Sequence, residues 1–296
     1  MITTTGKKTW TILEILGATA DYLKTKGIDD ARLNAELLLA HVLNCRRIDL
    51  YANFDKPVRE SEREQYKSLL KRRVAREPLQ YILGETEFMG LRFFVDRRVL
   101  IPRPETEVLV EKTIEVCRQF PEETERISIL DIGTGCGNIS ISVARLVGNA
   151  IVTAIDNSAE AIKVARMNVQ RHNLAERVTL ERVDILHDSL DSLQGPFHIV
   201  VSNPPYVSQE EYVNLQPEIR EYEPSSATCD SADGLSFYRS ISEIGRRLLK
   251  NGGFLTLEIG YGQSAQVQEI LRERGYVQIQ THKDYSGVER VVESRI

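Results

Sequence analysis

Residues 203–206 read Asn-Pro-Pro-Tyr and directly follow the apolar run FHIVVS. A residue before proline is pushed into extended geometry, and proline carries no N–H, so strand pairing ends here and the Asn203 amide is turned outward. The Asn203 side-chain oxygen and the Pro204 carbonyl then form a pair of acceptors suited to the two hydrogens of a planar NH2 group. Pro205 locks the corner, and the Tyr206 ring is placed to lie on the flat face of the same group. Amide and aromatic amine nitrogens are poor nucleophiles because their lone pair is delocalised. Held by two acceptors, such a nitrogen turns its lone pair toward an electrophile, and the positive charge that develops on it is accommodated. The product proton can leave to water, so no general base is obligatory. Asn203, Pro204, Pro205 and Tyr206 are the candidate catalytic and substrate-binding residues. The plain alternative is an Asn-Pro-Pro turn with a surface tyrosine.

A second constellation supplies a cofactor site. In ILDIGTGCGNIS an apolar strand runs into Gly133, Gly135 and Gly137 and then into a helix, with Thr134 and Cys136 between the glycines. Glycines at such a turn let backbone approach a ligand closely. Asp156 ends the next strand, about 20 residues on, where an acidic residue accepts from ribose hydroxyls. Asp184 ends the third strand and can accept from an adenine amino group, with Ile185 or Leu186 covering the ring. A strand-end Asp that only caps its loop is an equal reading of that segment. Gly133, Thr134, Gly135, Cys136, Gly137, Asp156, Asp184 and Ile185 are the candidate cofactor residues, joined by Asn203 at the same sheet edge.

These segments must be positioned by alternating strands and helices. From Thr106 onward the sequence alternates apolar strand-like runs with amphipathic helices, which predicts an α/β fold with a mainly parallel sheet covered on both faces. The last two strands, YVQIQTHK and VERVVESR, are joined by DYSG alone and must run antiparallel. Residues 1–78 read as a small helical domain, with helices in TILEILGATADYLKTKG, DDARLNAELLLAHVLN (opened by Asp caps) and ESEREQYKSLLKRRVAREP. Residues 79–101, rich in aromatic and branched side chains and punctuated by Gly84 and Gly90, read as a β-hairpin connector, and 102–296 as the catalytic domain.

Composition narrows the classes. No stretch reaches the ~20 apolar residues of a membrane span, and the first residues lack the apolar core of a secretory signal, so a cytoplasmic protein is expected. Cys45, Cys117, Cys136 and Cys229 form no CxxC pair and the histidines show no ligand spacing, so neither metal nor disulfide is expected. The first 80 residues hold 15 Lys and Arg against 11 Asp and Glu, and the rest 23 against 32. That balance is a poor footprint for a duplex-DNA enzyme.

Taken together, IPRPETE at 101–107, LDIGTGCGNI, VSNPPYV, EYEPSSAT with DGLSFYR, and DYSGVERVV resemble the bacterial release factor glutamine methyltransferases of the PrmC/HemK family over the whole chain. The resemblance implies S-adenosylmethionine as cofactor and a Rossmann-like class I methyltransferase sheet of seven strands with an antiparallel edge strand. It implies the glutamine amide of the Gly-Gly-Gln motif in peptide chain release factors as substrate. It also places Arg103 and Glu105 of the IPRPETE loop as polar contributors near the methionine end or the substrate entrance. After EP the family commonly has a Leu and a Gly pair, where this chain reads SSATCDSADGL, so no role carries over to Cys229–Asp233. The helical front domain is left to recognise the release factor, with Lys71, Arg72, Arg73 and Arg76 as its basic cluster. An adenine-amino methyltransferase acting on a flipped base is the alternative, and a silent cofactor-binding protein the alternative of another class.

Overall fold

The first helix starts where the sequence supplies a cap. In the computed structural model, which describes residues 9–121 and 123–296, α1 (Ile12–Thr25) opens on a capping box in which Thr11 and Glu14 each accept the other's backbone N–H. The chain leaves it through Gly27 at a φ of 65°. Helix α2 (Ala31–Leu43) differs from its expected start, because Asp30 is left-handed and makes no side-chain cap. Asn34 in the first turn instead donates from Nδ2 to the carbonyls of Asp29 and Asp30, each at 3.1 Å. Two more helices, α3 (Arg47–Ala52) and α4 (Glu60–Val74), close a core around Leu16, Leu23, Leu38, Leu39, Leu50 and Tyr66.

The segment after Pro78 is not the start of a hairpin. Residues Leu79–Leu83 form a short helix, α5, and the chain divides into two compact units after Gly84. Tyr81 and Ile82 look strand-forming in isolation, but both are buried, and Ile82 joins the helical core; packing overrides the local preference. The basic cluster also differs from expectation. Arg72 is paired with Glu77 at 2.8 Å, Arg73 is buried and donates to Asn34 Oδ1 at 2.9 Å, and Arg76 donates to the carbonyls of Gly27 and Lys26 at 3.0 and 3.1 Å. Lys71 is exposed. Most of the cluster is internal wiring of the helical unit rather than a free basic face.

The second unit opens with β1 (Glu85–Phe88) and β2 (Leu91–Phe94), an antiparallel hairpin turned by Met89 and Gly90, both at positive φ. There follow α6 (Thr106–Cys117), β3 (Ile127–Ile132), α7 (Asn138–Leu146), β4 (Ala150–Asp156), α8 (Ala159–Arg171), β5 (Val178–Arg182) and β6 (Phe197–Ser202). Short helices α9 (Gln209–Tyr212) and α10 (Pro217–Tyr222) lead to α11 (Ser236–Leu248), β7 (Leu249–Glu258), α12 (Ser264–Glu273), β8 (Val277–Lys283) and β9 (Glu289–Arg295). The seven strands lie in the order β5-β4-β3-β6-β7-β9-β8. All neighbouring pairs from β5 to β7 are parallel, and β9 runs antiparallel between β7 and β8. The antiparallel strand is thus one in from the edge, with β8 outermost.

Strand order reverses around β3, which lies between β4 and β6, so the loops after these three strands open into one crevice. The central strands are apolar on both faces, as a sheet covered by helices requires: Ile129, Leu130, Val200 and Val201 are all fully buried. One buried polar side chain ties the hairpin to this crevice. Asn168 of α8 pairs with the backbone of Phe94 (2.7 and 3.0 Å) and donates to the Cys136 carbonyl at 2.8 Å.

Candidate active site

The glycine loop leaves β3 with Gly133, Gly135 and Gly137 all at positive φ, a conformation L side chains resist. The N–H groups of Gly133 and Thr134 donate to the Ile155 carbonyl at 2.9 Å each, fastening the loop across β4. Asp156 finishes the fastening: one carboxylate oxygen accepts from Gly135 N–H and the other from Ser158 N–H, both at 2.9 Å. Burial raises the Asp156 carboxyl above its ordinary value, and the two N–H donors work against that rise. Beneath the loop, buried Asp131 accepts from the hydroxyls of Thr134 and Ser140, while its Oδ1 has no partner among the described residues. Burial pushes this carboxyl up to about 6.

Above the loop lies a cavity of about 810 Å³ including its open mouth. Gly133, Gly135, Asp156, Asp184, Ile185, Asn203, Pro204 and Pro205 all line it. Thr134 and Cys136 do not, since their side chains are buried in the fold. Gly137 serves packing: a Cβ there would meet Ile141 Cδ1 at 3.1 Å and Ala165 Cβ at 3.6 Å, so its absence lets α7 approach α8. Asp184 lines the cavity in a tight turn, accepting from Leu186 N–H at 3.0 Å, and that N–H holds its carboxyl below the ordinary range. Among the further lining residues, sequence reasoning missed Arg98, Val99 and Leu100, Phe237 and Ile241 of α11, and Pro224, Ser226 and Ala227. Only the EYEPSSAT and DGLSFYR signatures hinted at the last two groups.

S-adenosylmethionine suits these walls. An ideal Cβ on Gly135 meets nothing within 4 Å, so a side chain there would enter open space at a residue that lines the cavity. The Asp156 carboxylate supplies acceptors for ribose hydroxyls, and Ile185 and Phe237 supply apolar surface for a base.

At the far side of the crevice, Asn203 Nδ2 donates to Thr106 Oγ1 at 3.1 Å. Ser202, just before it, donates its hydroxyl to the Ile132 carbonyl at 2.7 Å, which fixes the end of β6 against β3. Tyr206 does not line the cavity. Its hydroxyl donates to Glu258 Oε1 at 3.4 Å, and its ring packs on the core beneath the sheet edge. Burial raises its phenol well above the ordinary value. The chain after Tyr206 is strapped by the segment Thr228–Asp230: Val207 N–H donates to Thr228 O, and Asp230 N–H to Val207 O, both at 3.1 Å. Arg103 and Glu105 stand outside the cavity lining; Arg103 is paired with Glu223, and Glu105 is the N-cap of α6. Thr106 entered the sequence reading only as a member of IPRPETE, and Glu258 was not singled out at all.

A parallel sheet with one inserted antiparallel strand, a glycine loop closed by a strand-end Asp, and an Asn-Pro-Pro corner across one crevice define a class I methyltransferase. Residues 112–219 match the methyltransferase small domain and residues 14–84 the PrmC N-terminal domain. The catalytic domain of hMettl16 in complex with MAT2A 3′UTR hairpin 6 shares the fold, with a TM-score of 0.54 and 18% identity over 81% of this chain and 84% of that one. The release factor glutamine methyltransferase of Chlorobaculum tepidum is 40% identical over 96% of this chain and 97% of its own length. That of Geobacter sulfurreducens is 42% identical over 97% of each. The chain belongs to the release factor glutamine methyltransferase family, and its methyl donor is S-adenosylmethionine.

Proposed function

We propose that this chain methylates the side-chain amide nitrogen of the glutamine in the Gly-Gly-Gln motif of peptide chain release factors. The observation that carries the proposal is the bond from Asn203 Nδ2 to Thr106. Because the NH2 side of Asn203 is occupied there, its oxygen is the atom left to accept from a substrate NH2 at the edge of the cavity. S-adenosylmethionine supplies an electrophilic methyl group on a sulfonium. The chain's own contribution is positional: Asn203 Oδ1 and the Pro204 carbonyl take both amide hydrogens, turn the nitrogen lone pair along the transfer line, and stabilise the positive charge that grows on nitrogen. The proton then passes to water.

An adenine amino group would satisfy the same acceptors, but the acidic balance of residues 81–296 and the internal use of the front unit's arginines give phosphates little to bind. Among the described residues no helix is long and apolar enough to cross a membrane, and a release factor substrate supports a cytoplasmic reading. The test is to incubate the protein with methyl-labelled S-adenosylmethionine and either release factor or DNA, then locate the label by peptide mapping. Label on the Gly-Gly-Gln glutamine is expected; label on adenine alone would overturn the proposal.

A further inference from the structure

Glu258, the last residue of β7, is 1% exposed. Its Oε1 accepts from Tyr206, and its Oε2 has no hydrogen-bond partner among the described residues. A buried carboxyl left half unsatisfied costs stability that an apolar residue of similar size would avoid. It sits, however, beside both ends of the Asn-Pro-Pro-Tyr corner: Tyr206 bonds to it directly, and the hydroxyl of Thr106, which receives the Asn203 amide, acts on its carboxyl from just beyond hydrogen-bond geometry. Thr106 is itself 1% exposed, at the first turn of α6.

The donor count at Thr106 gives this arrangement its meaning. A threonine hydroxyl has one proton and two lone pairs. If it accepts from Asn203 Nδ2, its own proton must go elsewhere. Without an acceptor on its far side that proton can turn to Asn203, the amide can rotate to take it through Oδ1, and NH2 then faces the substrate. Two NH2 groups would oppose each other and the acceptor would be lost. The remaining groups around Glu258 cannot do its work. Arg290 of β9 is a cation without acceptor capacity, Tyr238 of α11 gives its hydroxyl to the Glu258 carbonyl at 3.1 Å, and Glu105 acts on Glu258 only as a neighbouring negative charge.

We propose that Glu258 is a positioning residue for methyl transfer: its carboxylate takes the hydroxyl protons of Thr106 and Tyr206, and through Thr106 it fixes the Asn203 amide with oxygen toward the substrate. The proposal rests on the function assigned to Asn203 above. Burial pushes the Glu258 carboxyl up to about 7, opposed by the hydroxyls of Thr106 and Tyr206 and by Arg290, and reinforced by Glu105, so its acceptor state is present from neutral pH upward.

The test compares Thr106→Val, Thr106→Ser and Glu258→Gln in the full chain. Thr106→Val keeps shape and removes the hydroxyl; it should lower kcat by about 10²-fold, as a misplaced reacting group does, with S-adenosylmethionine affinity and release factor KM within about 2-fold of the parent. Thr106→Ser restores the hydroxyl and should recover most of the loss. Glu258→Gln, which offers one acceptor oxygen in place of two, should lower kcat by about 10-fold. A second readout needs no turnover: exchange of the Asn203 side-chain NH2 protons, followed by NMR, should be slow in the parent and Thr106→Ser and fast in Thr106→Val and Glu258→Gln. Equal kcat in Thr106→Val and Thr106→Ser, losses confined to cofactor affinity, or unchanged NH2 exchange in both Thr106→Val and Glu258→Gln would overturn the proposal. Absence of release factor methylation by the parent chain would instead overturn the assigned function, leaving the exchange measurement to decide on Glu258.

Discussion

One terminal nitrogen of Arg103 donates to both carboxylate oxygens of Glu223, at 2.8 and 2.7 Å, joining the IPRPETE loop to the stretch that begins the cavity's Pro224–Ala227 wall. Glu223 is 6% exposed, and burial already raises its carboxyl above the ordinary value against the pull of Arg103. Arg103→Ala should therefore destabilise the fold by about 3 kcal/mol, the range for stranding one half of a buried pair. Because a single nitrogen makes both contacts, Arg103→Lys should keep more of the stability and of the S-adenosylmethionine affinity. Thermal unfolding and calorimetric binding of the two variants check this, and equal behaviour would mean that Arg103 does not hold the wall.

Asp156 and Asn203 occupy opposite sides of one cavity, and their effects should separate. Asp156→Ala removes the acceptor of Gly135 N–H and the ribose-facing carboxylate, so it should weaken S-adenosylmethionine binding. Asn203→Ala should leave that binding nearly intact and lower kcat by about 10²-fold or more, as losing a preorganised transition-state contact does. Calorimetry with cofactor alone, beside steady-state kinetics, distinguishes them. An Asn203→Ala protein that no longer bound the cofactor would place Asn203 in the wrong half of the site.

Both halves of this cavity were legible in the sequence because each ends an apolar run with residues of unusual backbone or charge: Gly133 and Gly135, Asp156, Asn203 and Pro204. Their common edge follows from strand alternation alone. Phe237, Ile241 and Arg98 reach the same cavity from segments whose local pattern reports only a helix or a loop. Thr106 stood in the sequence only as a member of IPRPETE, and nothing local singled out Glu258, since the contacts that matter to each are made across the sheet. Arg72, Arg73 and Arg76 misled for a related reason: a long cationic side chain on a helix reads as solvated surface, yet here it folds back to a carboxylate, an amide oxygen or open carbonyls.

The pH dependence of stability should carry the signature of Glu258. Its folded carboxyl is raised from 4.5 to about 7, so the folded chain keeps a proton that the unfolded chain releases across that interval. The associated stability is fully present below the unfolded value and is lost as pH rises through the folded one. Asp131, raised from 3.8 to about 6, adds a loss of the same sign at lower pH. Glu258→Gln carries no titrating proton, so its Tm relative to the parent should be higher at pH ~8 than at pH ~5. Scanning calorimetry of both proteins at the two pH values checks this; an equal difference at both would mean that Glu258 does not titrate in that window. The same variant is expected to be slower, so a relative gain in stability from pH ~5 to pH ~8 with reduced turnover is the combined expectation.

A primary amide met by two acceptors should be read strictly. A release factor in which the Gly-Gly-Gln glutamine is replaced by glutamate presents a carboxylate, with no hydrogens to donate, to Asn203 Oδ1 and the Pro204 carbonyl. The carboxylate oxygens would face acceptor lone pairs at the edge of the cavity, an unpaired charge that costs several kcal/mol. Protonation relieves the charge but returns only one donor for two acceptors. Neither form turns a lone pair toward the methyl group as the amide does. The expected outcome is no methyl ester above background when the glutamate-bearing factor and labelled S-adenosylmethionine are incubated with the protein, measured by base-labile volatile label beside the parent factor as control. Ester formation near the rate of amide methylation would show that the corner at Asn203 and Pro204 does not select its substrate by hydrogen-bond count.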